Sequence, residues 1–196
     1  MKKSETMLVS LLILLPISLL GVSKPAQVDE KEIFDASVLE RRGGGERMVV
    51  EHWTTTEEMQ RLRKALNEGG SDVLFKEIRK MKAGRAFGFF GFVILKPTRS
   101  TVSVLNLAFS KPTQKGRLIH LVIERPLLPL YFDESQPLAQ PQDYEFGLIE
   151  LVLDEKGEGQ GTHFPSVRIG ISKDGNIEFT PLAGEPQKLI WAGKVD

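Results

Sequence analysis

Val167-Arg168-Ile169-Gly170-Ile171-Ser172-Lys173-Asp174-Gly175-Asn176-Ile177-Glu178-Phe179-Thr180 is the stretch that sets the fold class. Val167, Ile169 and Ile171 recur at every second position, as do Ile177 and Phe179. Asp174-Gly175 lies between the two runs. Alternating apolar residues flanking Asp-Gly read as a β-hairpin, because the tight turn needs positive φ and these residues supply it. Strands joined in this way run antiparallel.

Working outward, the same pattern recurs. Residues 161–172 follow a Gly-rich turn at 155–159, and residues 144–154 precede it. Residues 117–125 are apolar on both faces through Leu118, Ile119, Leu121, Val122 and Ile123, as a central strand would be. A polar turn at 111–116 separates them from the alternating run 101–110. Residues 85–95 interleave Phe87, Phe89, Phe90 and Phe92 with glycines, which suits a bent or bulged strand. Near the start, residues 32–40 and 46–53 flank Gly43-Gly44-Gly45, a second hairpin signal. Leu189 to Ala192 forms the last strand, giving about nine.

Between the second and third strands the period becomes helical. Thr54 with Glu57 and Thr55 with Glu58 form overlapping capping boxes, in which threonine accepts from an orphan amide and glutamate reaches back. Met59, Leu62 and Leu66 form one apolar stripe, and Leu74, Ile78 and Met81 another. Gly69-Gly70 divides them into two helices. The expectation is an α+β domain over residues 32–196: a curved antiparallel sheet or partly open barrel of about nine strands, with a two-helix hairpin packed on one side. Residues 126–143 hold Pro126, Pro129, Pro137 and Pro141 and read as a long loop. Tyr131 and Phe132 within it are candidate ligand- or partner-binding residues, as are Phe87 and Phe89.

The first 23 residues read as a secretory signal peptide. Lys2 and Lys3 supply the basic start, Met7 to Leu20 the apolar core, and Gly21 and Ser23 the small residues before a cut. The core is too short to span a bilayer, which takes about 20 residues. An uncleaved anchor of the same topology is the alternative. Residues 24–31 read as a tether. Cleavage removes Lys2, Lys3 and Glu5, so 26 basic and 26 acidic residues become 24 and 25, a net charge of −1. That balance gives no overall pull on nucleic acid or anionic membrane. No integral membrane segment is expected after cleavage. The chain has no cysteine, which excludes disulfides, thiol catalysis, cysteine-ligated zinc and a lipoprotein anchor. An exported protein of this size without disulfides points to a bacterial source and a periplasmic or extracellular location.

Catalytic constellations are sparse. His52, His120 and His163 make no closely spaced pair, so neither a metal nor a cofactor is expected. Neither Gly-x-Ser-x-Gly nor Ser-x-x-Lys is present. Gly157-Glu158-Gly159-Gln160-Gly161 lacks the helix N-terminus of a phosphate loop and reads as a hairpin tip. Glu150 stands on an apolar strand face with Phe146, Leu148 and Val152. A carboxylate there requires a partner, and Arg125, Arg168 or His120 is placed to provide one. Glu150 and His120 are therefore the weak catalytic candidates.

Glu51-His52-Trp53, Thr55-Thr56-Glu57-Glu58 and Asn67-Glu68-Gly69-Gly70-Ser71-Asp72-Val73-Leu74 form one ordered block. Glu124-Arg125-Pro126, Asp143-Tyr144-Glu145-Phe146-Gly147-Leu148-Ile149-Glu150-Leu151 and Asp154-Glu155-Lys156-Gly157-Glu158-Gly159-Gln160-Gly161 form another. In this order, over residues 32–193, they resemble a group of exported bacterial proteins of unknown function, of the acidobacterial type. The resemblance brings no activity and no site residues. The favoured expectation is a non-enzymatic exported binding or structural module, taking a small apolar ligand or a protein partner. The alternatives are a hydrolase using Glu150 with His120, and an accessory subunit of an envelope assembly docking through residues 126–143.

Overall fold

The computed structural model describes residues 31–38, 44–93, 96–124, 146–172, 177–182 and 186–195, with backbone alone at residues 38, 44, 89–93 and 96–101. The leader, most of the tether, the 126–143 loop with Tyr131 and Phe132, and the Asp174-Gly175 turn lie outside the described residues.

The elements run β1 (Glu32–Val38), β2 (Gly44–Val50), α1 (Thr56–Lys80), β3 (Gly84–Val93), β4 (Lys96–Thr113), β5 (Gly116–Ile123), β6 (Phe146–Asp154), β7 (Glu158–Ile171), β8 (Ile177–Pro181) and β9 (Gln187–Val195). All pairings are antiparallel, and Ile171↔Ile177 and Ile169↔Phe179 confirm the hairpin that opened the reading. Neighbouring strands pair in succession from β1 to β6. β6 then pairs with β7, β7 with β9, and β9 with β1. Eight strands thus close into a barrel, and β8 attaches outside the ring.

Closure corrects the expectation of a curved sheet or partly open barrel. It depends on the 14-residue length of β7. The Glu158–His163 part of β7 pairs with β9, while Val167–Ile171 pairs with β8 along the same edge. Closing the ring leaves the eight wall strands without the unpaired edges of an open sheet. The Gly157–Gly161 run is likewise more than a hairpin tip. The turn comprises Glu155 to Gly157 and is held by Asp154 Oδ1, which accepts from the Lys156 and Glu158 amides at 2.9 and 3.0 Å. Gly159 lies in the wall, where an added Cβ would meet the Val152 carbonyl oxygen at 1.9 Å.

Two apolar layers explain why β5 and β6 are apolar on both faces. Phe34, Met48, Leu105, Ile119, Leu121, Ile149 and Leu151 fill the lumen. Val122, Leu148 and Val167 face outward and are covered by Leu62, Leu74, Phe75 and Ile78 of α1. At about 25 cal/mol per Å² of apolar surface, each such side chain stabilises the fold by about 1.5–3 kcal/mol.

The helical region is one kinked element rather than a separate pair. Gly70, at φ 66° and ψ −161°, breaks the helical path within α1. Its start uses the second of the two expected capping boxes. Thr55 Oγ1 accepts from the Glu58 amide at 3.2 Å, and Glu58 Oε2 accepts from the Thr55 amide at 2.8 Å. Partial burial pushes the Glu58 carboxyl up, but the Thr55 amide and the His52 ring at 2.9 Å outweigh it and hold the carboxyl below its ordinary value. Among the described residues no helix is long and apolar enough to cross a membrane.

Candidate functional site

Two carboxylates reach across the barrel lumen. Glu32 starts β1, and Arg117 is the second residue of β5, halfway round the ring. Arg117 Nη2 donates to Glu32 Oε2 at 2.5 Å and Nη1 to Oε1 at 3.3 Å. Lys194 Nζ stands 4.0 Å from Oε1. The guanidinium also lies over Phe34 and Trp53, 5.4 and 6.0 Å from the ring centroids. This end is closed by an ion pair whose carboxylate oxygens are both engaged, packed on two aromatic rings.

Towards the other end, Glu46 of β2 meets His163 of β7. β1 and β9 stand between these strands in the wall, so this contact too crosses the lumen. His163 Nδ1 and Glu46 Oε1 are 2.7 Å apart, and each side chain is only 2% exposed. Strand parity puts both inside: Glu46 alternates with buried Met48 and Val50, and His163 pairs with Ile149. The surrounding side chains are short. Glu46 is flanked in register by Ala36 on β1 and Gly88 on β3, and Ala36 pairs in turn with Ala192.

This second pair is incomplete. Among the described residues five buried side-chain atoms have no hydrogen-bond partner: Glu46 Oε2, His163 Nε2, Arg63 Nε, Asn106 Oδ1 and Ser166 Oγ. Only the first two belong to one bonded pair. A buried polar atom without a partner costs about 1–3 kcal/mol, and in a folded protein such a group calls for an explanation.

The expected catalytic candidates do come together, on the outside. His120 and Glu150 are direct cross-strand partners. His120 Nε2 and Glu150 Oε2 lie 2.9 Å apart, with the side chains 25% and 35% exposed. The imidazole also meets the Phe179 ring edge-on at 5.2 Å. Thr162 stands opposite Glu150 on β7. An open groove of about 850 Å³ runs over this outer face, lined by Glu150, Val152, Gln160, Thr162, Lys115 and Lys188.

Phe87 is half-buried and paired in register with exposed Arg47 and Val102, which puts it on the outer face, away from the lumen. Phe89 pairs through its backbone with Gly45 and Ser100. Tyr131 and Phe132 lie outside the described residues, as does Arg125. Among the described residues no three histidine or carboxylate side chains gather as a metal site.

Sequence reasoning singled out Glu150 and passed over Glu46 and His163. The available signal was the same one: Glu46-x-Met48-x-Val50 places a carboxylate on an apolar strand face. What the sequence lacked was the closure that brings β7 opposite β2. Comparison of the chain with family models, with curated proteins and with solved structures finds no match.

Proposed function

We propose that this protein is an exported, non-enzymatic binding module that holds a small ligand inside its barrel, anchored on Glu46 and His163. The carrying observation is the pair of unpartnered atoms on one buried dyad. A barrel of eight strands is wide enough either to be filled by side chains or to hold one small ligand. The lumen around the dyad is lined by Ala36, Gly88 and Ala192, whose short side chains leave Glu46 Oε2 and His163 Nε2 unanswered. A ligand group that bonds to both removes the desolvation penalty. Export rests on the leader at residues 1–23, and kinship with the exported bacterial group rests on the ordered motifs.

The test is native mass spectrometry of protein recovered from the exported fraction of a bacterial host. The intact mass is expected to begin at Lys24 and to include a bound small molecule. That molecule should be absent from the Glu46→Met/His163→Leu variant. A parent mass equal to that of its own bare chain, with nothing bound, would sink the reading.

A second reading is favoured by the 2.9 Å His120–Glu150 contact: a hydrolase that uses this acid–histidine pair at the outer groove. Glu150→Gln would then leave the fold intact and abolish hydrolysis of a panel of aryl esters. No turnover by the parent, or equal turnover by both proteins, removes it.

A further inference from the structure

We propose that the groove on the outer wall is a binding site for a neutral oligosaccharide of flat, β-linked sugar rings. It lies outside the barrel, apart from the lumen dyad, and calls for no turnover by His120 and Glu150.

Strand register lays polar side chains out in a line. His120 pairs with Glu150, Glu150 with Thr162, and Thr162 with Lys188. An imidazole, a carboxylate, a hydroxyl and an ammonium thus stand side by side on four adjacent strands, over about 14 Å at ordinary strand spacing. In the next row Leu118 pairs with Val152 and Val152 with Gln160, which sets an aliphatic strip and an amide beside the polar line. The groove of about 850 Å³ takes in members of both rows. Glu158, also in the groove, pairs with Gly193 of β9. Trp191 is 43% exposed, and its ring covers Gly193: a Cβ added there would meet Trp191 Cζ2 at 2.6 Å. The indole therefore lies against the wall beside Glu158, with its remaining surface open to solvent.

The groove holds charges of both signs. Lys115 and Lys188 share it with Glu150, Asp154 and Glu158. Asp154 is already bound to the Lys156 and Glu158 amides, which leaves two ammoniums and two carboxylates. That balance draws in neither an anion nor a cation. It suits hydroxyls, which donate to a carboxylate and accept from an ammonium or an amide. Among the described residues, the Lys115, Lys188, Gln160 and Thr162 side chains have no hydrogen-bond or ion-pair partner of their own. An extended peptide also carries donors and acceptors throughout, but it docks by adding a strand to an open edge. Here β6 and β7 pair with each other and with β5 and β9, so the groove floor offers no such edge. A sugar ring adds a flat face of C–H bonds, which the Val152 strip and the Trp191 indole match.

The experiment is an ¹⁵N NMR titration of the purified protein with three β-linked tetrasaccharides that differ in charge. They are neutral cellotetraose, the anionic tetramer of mannuronate and the cationic tetramer of glucosamine. A capped Ser-Gly peptide of similar length is the fourth probe. Parent protein should bind cellotetraose with a Kd below about 1 mM, and at least about tenfold more tightly than the other three. Trp191→Ala should lose at least about tenfold in affinity for it, as should Gln160→Ala/Lys188→Ala. Val102→Ala, elsewhere on the wall, should bind as the parent does. Should Trp191→Ala fold poorly, the parent spectra give an independent readout: cellotetraose must move the Trp191 indole N–H signal and leave that of Trp53 in place. Absent binding of cellotetraose, tighter binding of a charged tetramer or of the peptide, or an unmoved Trp191 signal overturns the inference. The lumen and hydrolase readings stand through any of these outcomes, because bound-molecule mass and ester turnover test them separately.

Discussion

The two ends of the barrel solve the same problem differently. At one end Glu32 gives both oxygens to Arg117, and the guanidinium stacks on Phe34 and Trp53. At the other, Glu46 gives one oxygen to His163, and two buried atoms have nothing to bond. The first arrangement is complete on its own terms and needs no function to account for it. The second is neither an apolar filling nor a satisfied network, and a half-satisfied buried network is worse for stability than an apolar core. Local departures of this kind concentrate at functional sites.

Substitutions at the complete end should have the largest effect. Arg117→Ala leaves Glu32 buried without its two donors, and unfolding in urea should show a loss of about 3–5 kcal/mol. Arg117→Lys should recover only part of this, since an ammonium cannot reproduce the two-pronged contact. A loss below about 1 kcal/mol would place that end among ordinary surface pairs and blur the contrast. At the incomplete end, Glu46→Met alone removes the single partner of His163 Nδ1, and the same measurement should show a loss of about 1–3 kcal/mol. An equal loss at both ends would erase the difference between them.

Smaller changes in the outer layer calibrate the scale, because they touch neither lumen pair. Thr55→Ala removes the cap of α1 and should lower stability by about 1 kcal/mol. Gly70→Ala puts a side chain at φ 66° and ψ −161°, a conformation essentially confined to glycine and costing about 1–3 kcal/mol for other residues. The smallest effect concerns acid. The Glu58 carboxyl is held below its ordinary value of 4.5 in the fold. Its contribution is therefore present above that value and is lost as pH falls through the folded one. Glu58→Gln should lower stability slightly at neutrality, change little in acid, and so flatten the acid limb of stability against pH below about 4.5.

Much of the fold was legible because it is written in local periodicity. The strands, the hairpin of β7 with β8 and the Thr55–Glu58 cap all follow from residues close in sequence. Barrel closure was not legible. It depends on β7 being long enough to carry β9 and β8 along one edge, and on pairing between β9 and β1, residues nearly the whole domain apart. The site divides along the same line. His120 and Glu150 were found because they sit on successive strands with matching parity. Glu46 and His163 meet only through closure, so no window of sequence contains their relation.

The unfolding free energy of Glu46→Met/His163→Leu tests the central contrast most directly. Replacing both members removes the unpartnered atoms and fills the space with side chains of similar volume. The expected result is stability equal to the parent's or higher by about 1–4 kcal/mol. A loss of more than about 2 kcal/mol would mean that the dyad holds the barrel together as Glu32 and Arg117 do, and would leave it nothing to bind.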